Sequence, residues 1–152
     1  MKNLFLSTIT VLALAFTGFS CSSDDNNSSE TMIDYSELPT DAQNFIETYF
    51  SESEIVRIDK DINSIDEYYE VKFVGNVEID FNESGIWTNV DGNNQSIPTG
   101  FINTSIVEYV ATNYSTTSIE GIEKETYGFD IDLVDNTELR FDSEGIFLGL
   151  GN

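Results

Sequence analysis

Residues 69–87 (YEVKFVGNVEIDFNESGIW) alternate apolar and polar positions with period two, and the pattern returns sixty positions later in residues 129–147 (FDIDLVDNTELRFDSEGIF). Such alternation predicts half-buried β-strands. The turn residues and the closing Gly-Ile-aromatic fall at matching places in both copies. Self-similarity of this kind marks one structural unit used twice.

The hairpin registers follow from the pattern. Tyr69, Val71 and Phe73 share one face, as do Val77, Ile79 and Phe81, because successive strand residues point to opposite sides. Both sets can face one core only if the loop has an odd number of residues. A three-residue loop, Val74-Gly75-Asn76, is expected, as a type I turn followed by a left-handed residue with a bulge. Asn76 takes that left-handed position, which Asn tolerates, and Asn136 takes it after Val134-Asp135. The same reasoning at Glu83-Ser84-Gly85 and Ser143-Glu144-Gly145 places Gly at the left-handed position. It pairs Phe81 with Trp87 and Phe141 with Phe147, which makes Trp87 a core residue rather than a ligand platform.

Ahead of each hairpin pair the period changes to that of a helix. Leu38-Pro39 opens the first unit, with Pro suited to a first helical turn. Ala42, Phe45, Ile46, Tyr49 and Phe50 then form an apolar stripe. Ile97-Pro98 opens the second unit in the same way, with Ile102, Ile106, Tyr109, Val110 and Tyr114 on its stripe. Strand-like runs follow at 55–59 and 119–123, offset by sixty-four rather than sixty. The first unit therefore holds four extra residues in its next connection, within 61–66. Each unit reads as a helix followed by four antiparallel strands. The fold class is α+β: one eight-stranded sheet with both helices on one face and the other face open.

The N-terminus alters the domain plan. Lys2, an apolar run to Phe19 and the lone Cys21 read as a secretory signal peptide over 1–20, and Cys21 is placed like the lipid acceptor of a bacterial lipoprotein. Residues 21–37 are polar and acidic, as in a flexible tether. Its opening Cys-Ser-Ser-Asp-Asp resembles the signal that sends some Gram-negative lipoproteins to the cell surface. The folded part is 38–152, with repeat one over 38–92 and repeat two over 97–152. The localisation expected is the Gram-negative cell envelope, as an outer-membrane lipoprotein displayed at the surface.

Charge narrows the partners. Cleavage before Cys21 removes Lys2, leaving Arg57, Lys60, Lys72, Lys124 and Arg140 against all 28 acidic residues. Nucleic acid demands a basic stripe, so it is excluded, and so is electrostatic docking on an anionic leaflet. The only membrane link expected is the lipid anchor, and the partner expected is a basic protein or peptide. One cysteine permits no internal disulfide, and the chain has no His, the commonest general base and metal ligand.

The motifs taken together resemble a known family. Leu38-Pro39 with Ala-Gln-x-Phe-Ile, Tyr-Glu-Val at 69–71, Glu-Ile-Asp-Phe at 78–81, Gly-Ile-Trp at 85–87 and Leu-Arg-Phe-Asp-Ser-Glu-Gly at 139–145 resemble the PepSY-like, beta-lactamase-inhibitor-like proteins of bacterial envelopes. The resemblance covers 38–152 and implies a tandem helix-plus-four-strand fold. It brings no inhibitory motif, so inhibition of a beta-lactamase would be analogy from fold alone.

The derived registers place specific charges on the open face. Lys72 faces Glu78 and Glu70 faces Asp80; Asp130 faces Arg140 and Asp132 faces Glu138. Each hairpin thus has one ion pair and one opposed carboxylate pair, the latter unfavourable unless neutralised. These eight residues are the candidate partner-binding set. The function expected is non-catalytic binding of a protein or peptide, with modulation of an envelope enzyme as its specific form. The alternatives are a structural envelope component without a discrete ligand, or a Ca²⁺-binding surface module. Asp59-Lys60-Asp61-Ile62-Asn63 with Glu70 at the twelfth position copies part of an EF-hand loop, but Ser64 stands where that loop needs Gly. No catalytic residues, cofactor or dedicated metal ligands are expected: no Ser or Thr has a His partner, and an open sheet offers carboxylates no cleft with separate acid and base environments.

Overall fold

The computed structural model describes residues 30–151. The segment read as a signal peptide and Cys21 lie outside them. In chain order the elements are β1 (Glu30–Met32), α1 (Thr40–Tyr49), β2 (Ile55–Asp61), β3 (Tyr69–Phe73), β4 (Glu78–Phe81), β5 (Trp87–Asp91), α2 (Thr104–Asn113), β6 (Ile119–Glu125), β7 (Gly128–Leu133), β8 (Glu138–Asp142) and β9 (Phe147–Leu150). All the strands form one antiparallel nine-stranded sheet in sequence order, with β1 and β9 as its edges.

The expected eight strands become nine because β1 arises from the segment read as tether. Glu30, Thr31 and Met32 pair with Asp61, Lys60 and Asp59. Ile33 continues the pairing through its N–H to the Ile58 carbonyl at 3.1 Å and packs on the core. The repeat explains why a strand is needed here. Each helix is inserted between two neighbouring strands, β1–α1–β2 and β5–α2–β6, so β1 does for the first unit what β5 does for the second.

Both helices bury their stripes on the same face. Ala42 and Ile46 of α1, and Ile106 and Val110 of α2, join Val71, Ile79, Phe81, Val90, Ile122, Ile131, Leu139 and Phe141 of the sheet in one core. Each fully buried large side chain contributes roughly 1.5–3 kcal/mol. Trp87 stacks on Phe45 and Phe129 and meets Phe101 edge-on at this core's edge, as expected of it.

The hairpin registers stand as derived. Val71 pairs with Ile79 and Ile131 with Leu139, and the tip pairs are Phe81 with Trp87 and Phe141 with Phe147. Asn76, Gly85, Asn136 and Gly145 all have positive φ. One turn differs. Gly75 also has positive φ, 87°, so the first loop turns as type II, with Gly in the position that requires it, where the second loop keeps type I.

The Pro-led opening of the second helix is corrected. Helix α2 starts six residues after Pro98, and its N-cap is Asn103, whose side chain accepts from the Ser105 N–H. At the offset of sixty-four, Ile102-Asn103 is the true counterpart of Leu38-Pro39. Ile97 is buried, but it and Pro98 belong to the connection. In both units a glycine turn tucks beneath the helix start. A Cβ on Gly85 would lie 2.7 Å from the Pro39 Cβ, and one on Gly145 would lie 3.0 Å from the Asn103 side chain.

Candidate functional site

Strand registers carried across the whole sheet arrange the open face in two rows. The first runs Asp59, Glu70, Asp80, Asn89, Glu123, Asp130, Arg140 from β2 to β8. The second runs Arg57, Lys72, Glu78, Asp91, Gly121, Asp132, Glu138. All eight residues of the candidate set lie in these rows, opposed as the hairpin argument required. The rows also contain Arg57, Asp59, Asn89, Asp91 and Glu123, which the sequence reading missed. Their signal was available in the alternation of β2, β5 and β6, had those strands been given registers too.

The few cations are shared. Lys72 Nζ lies 2.8 Å from Glu70 and 3.4 Å from Glu78. Arg140 lies 3.2 Å from Glu138 and 3.7 Å from Asp130. Each base thus bridges the carboxylate opposite and another on its own strand. The Tyr127 hydroxyl also donates to Asp130. Asp59 holds Arg57 through its Oδ2, while its buried Oδ1 has no hydrogen-bond partner among the described residues.

Asp80 is left in the least favourable place. It is only 8% exposed, and among the described residues its side-chain donor is Asn89 Nδ2, 3.1 Å from Oδ2. Burial, aided by Glu67, Glu70 and Glu78 against the Asn89 hydrogen bond, pushes its carboxyl up to about 6. Asp132 is raised by burial and then by Glu138, Asp91 and Asp130, and Glu123 by burial and then by Glu125, Asp130, Asp132 and Glu67. Lys124 does not relieve this row: its ammonium donates to the Trp87 carbonyl at 2.7 Å and sits 3.7 Å above the Trp87 ring.

Two depressions indent the charged surface. A shallow one of about 560 Å³ is lined by residues including Asp66, Glu67, Asn89, Glu123 and Lys124. A smaller recess of about 80 Å³ near the β1 edge is lined by Glu30, Asp59, Asp61, Glu67 and Glu70. The EF-hand likeness does not survive the fold. Asp59 and Asp61 stand in β2, and Glu70 pairs directly with Asp59 across the sheet instead of closing a loop. Among the described residues no group of three or more acidic side chains is gathered so as to hold a metal ion.

Residues 67–149 match the family model described as "Putative beta-lactamase-inhibitor-like, PepSY-like". Three solved structures share the fold. One is described as a "putative calcium-regulated periplasmic protein" of Bacteroides thetaiotaomicron, with TM-score 0.76, 28% identity, and coverage of 83% of this chain and 99% of that one. A "putative periplasmic protein of unknown function" of Bacteroides vulgatus gives TM-score 0.71, 30% identity, and coverage of 81% and 99%. A "putative periplasmic protein from DUF2874 family", also of Bacteroides vulgatus, gives 0.71, 27%, and 86% and 99%. No curated protein matches the sequence.

Proposed function

Because the chain belongs to the PepSY-like, beta-lactamase-inhibitor-like family, we propose that it acts in the cell envelope as a non-catalytic module that grips a basic protein or peptide with its open sheet face. The observation that carries this is the double row in which carboxylates outnumber the cations between them. Opposed like charges on a sheet cost stability, so a cationic partner gains by relieving them. Modulation of an envelope enzyme is the specific form of this activity. Cys21 supplies the lipid anchor and the segment after it the stalk, placing the module on the outer membrane with its face turned to other envelope or secreted proteins.

The test is capture by the full chain from the envelope and secreted proteins of its own organism. Wild type retains a partner, 0.5 M salt releases it, and Glu70→Gln/Asp80→Asn/Asp132→Asn/Glu138→Gln does not retain it. The same preparations test the anchor, since Cys21→Ala leaves the membrane fraction. A partner kept equally by the neutralised chain moves the binding surface to the helices or edges. No partner for either chain leaves a structural envelope component.

The name of the Bacteroides thetaiotaomicron relative supports a second reading, a face that responds to calcium. Ca²⁺ takes six to eight oxygens and would draw the flexible carboxylates together. A melting temperature that rises on adding millimolar Ca²⁺, and not on adding Mg²⁺, supports it; an unchanged melting curve rejects it.

A further inference from the structure

We propose that an arginine side chain of the partner anchors in the recess lined by Glu30, Asp59, Asp61, Glu67 and Glu70. It would complete in trans the charge pairing that Arg140 completes within the second repeat. This rests on the proposal that the open face binds a basic partner, and it names the chemical group and the place.

The repeats supply an internal comparison. At the offset of sixty, Glu70 corresponds to Asp130 and Asp80 to Arg140. In the second repeat Asp130 has Arg140 at 3.7 Å and the Tyr127 hydroxyl as a donor. In the first repeat the position of the arginine is held by another acid, Asp80, opposite Glu70. Lys72 is engaged by Glu70 at 2.8 Å and Glu78 at 3.4 Å, which leaves Asp80 with the Asn89 amide among the described residues.

A second observation lies at the recess itself. The Asp59 side chain is 5% exposed and pairs with Arg57 through Oδ2, leaving the buried Oδ1 with no donor among the described residues. Buried carboxylate oxygens are normally satisfied, so this one calls for an N–H donor from outside. Glu70 stands directly across from Asp59, and the recess of about 80 Å³ opens beside them.

The chemistry of the occupant follows from the spread of these groups. A metal ion needs several oxygens converging on one point, and no such gathering exists among the described residues. A guanidinium presents five N–H donors in a flat fork, reaches carboxylates spaced around a rim, is weakly hydrated and keeps its charge. The recess therefore suits arginine better than a cation alone.

The test titrates the full chain at pH 7.5 with a heptapeptide bearing one central arginine in a Gly/Ser frame. Counterparts bearing lysine or the neutral isostere citrulline are run beside it, followed by amide NMR shifts. The arginine peptide should bind at least tenfold tighter than the citrulline peptide, with shifts centred on β1 to β4. Glu30→Gln/Glu70→Gln, a change of two partly exposed side chains, should weaken it at least tenfold. Asp80→Arg, which installs the cation within the chain, should do the same, while Asp135→Asn leaves it unchanged. Equal binding of the citrulline or lysine peptide, or indifference to Glu30→Gln/Glu70→Gln, overturns the anchor. Loss caused instead by Asp132→Asn/Glu138→Gln overturns the anchor but preserves binding by the face. No binding of any peptide to wild type overturns both.

Discussion

Asp80→Asn is expected to raise stability at pH 8 by up to about 3 kcal/mol, and to have no effect near pH 4. Burial pushes the folded-state carboxyl up to about 6, against 3.8 for an ordinary aspartate. A group whose folded pKa is raised contributes stability in its protonated form, and that contribution is lost as pH climbs from the unfolded value through the folded one. Two units correspond to about 3 kcal/mol. Burial is the first cause, so solvent screening removes little of this, as the residue is 8% exposed. The amide keeps an acceptor for Asn89 Nδ2 and removes the charge that Glu67, Glu70 and Glu78 oppose. Denaturant melts at pH 4, 6 and 8 should show the two chains coinciding at the lowest pH and separating upward. At pH 8 the melting temperature should differ by on the order of 10 °C. A variant no more stable than wild type at pH 8 would mean that Asp80 is better solvated or better paired than its surroundings indicate.

Phe141→Ala is expected to cost about 3–5 kcal/mol, the usual loss for an aromatic ring removed from a closed core. Its ring is fully buried, edge-on to Tyr109 at 5.4 Å and 5.7 Å from Phe147. The repeat counterpart Phe81 is equally buried, edge-on to Phe45 at 5.8 Å. Strand β5 pairs with β4 on one side and β6 on the other, so the sheet passes from unit to unit without a break. Phe81→Ala and Phe141→Ala should therefore both lower one shared cooperative transition, and Val74→Ala, at a side chain 68% exposed, should leave it in place. Calorimetry that resolved two transitions, each moved by only one of the phenylalanines, would show that the repeats are separate folding units.

The hairpins were legible because their constraint is arithmetic: period-two alternation plus a shared core admits only odd loops, and duplication supplied a second instance to check against. That reasoning reached all eight candidate charges. It stopped where neither constraint applied. Strand β1 is three residues of ETM inside a polar, acidic stretch, and composition there outweighed the short apolar signal of Met32-Ile33. Pro98 misled because a proline near a helix start is common, while the capping was done by Asn103. The placement of Asn89 depends on a register shift after Asp80, which puts Trp87 rather than Thr88 opposite Phe81. Asp59 was hidden for a different reason. That its Oδ1 meets no donor among the described residues is a property of burial and neighbours, and no spacing along the chain encodes it.

The two edges of the sheet are unequal, and this gives any growth of the sheet a direction. At one side β1 offers a rim of three residues, too short to template much pairing. At the other, β9 offers four, flanked and carried by Ile146, Leu148 and Leu150, each more than half exposed. Among the described residues the longer and more apolar seat for a further strand is therefore along β9. A second copy docking there antiparallel consumes both seats at once and turns two poor rims outward. Growth beyond that pair would have to use the three-residue β1 rims, which offer little backbone to hold a further strand.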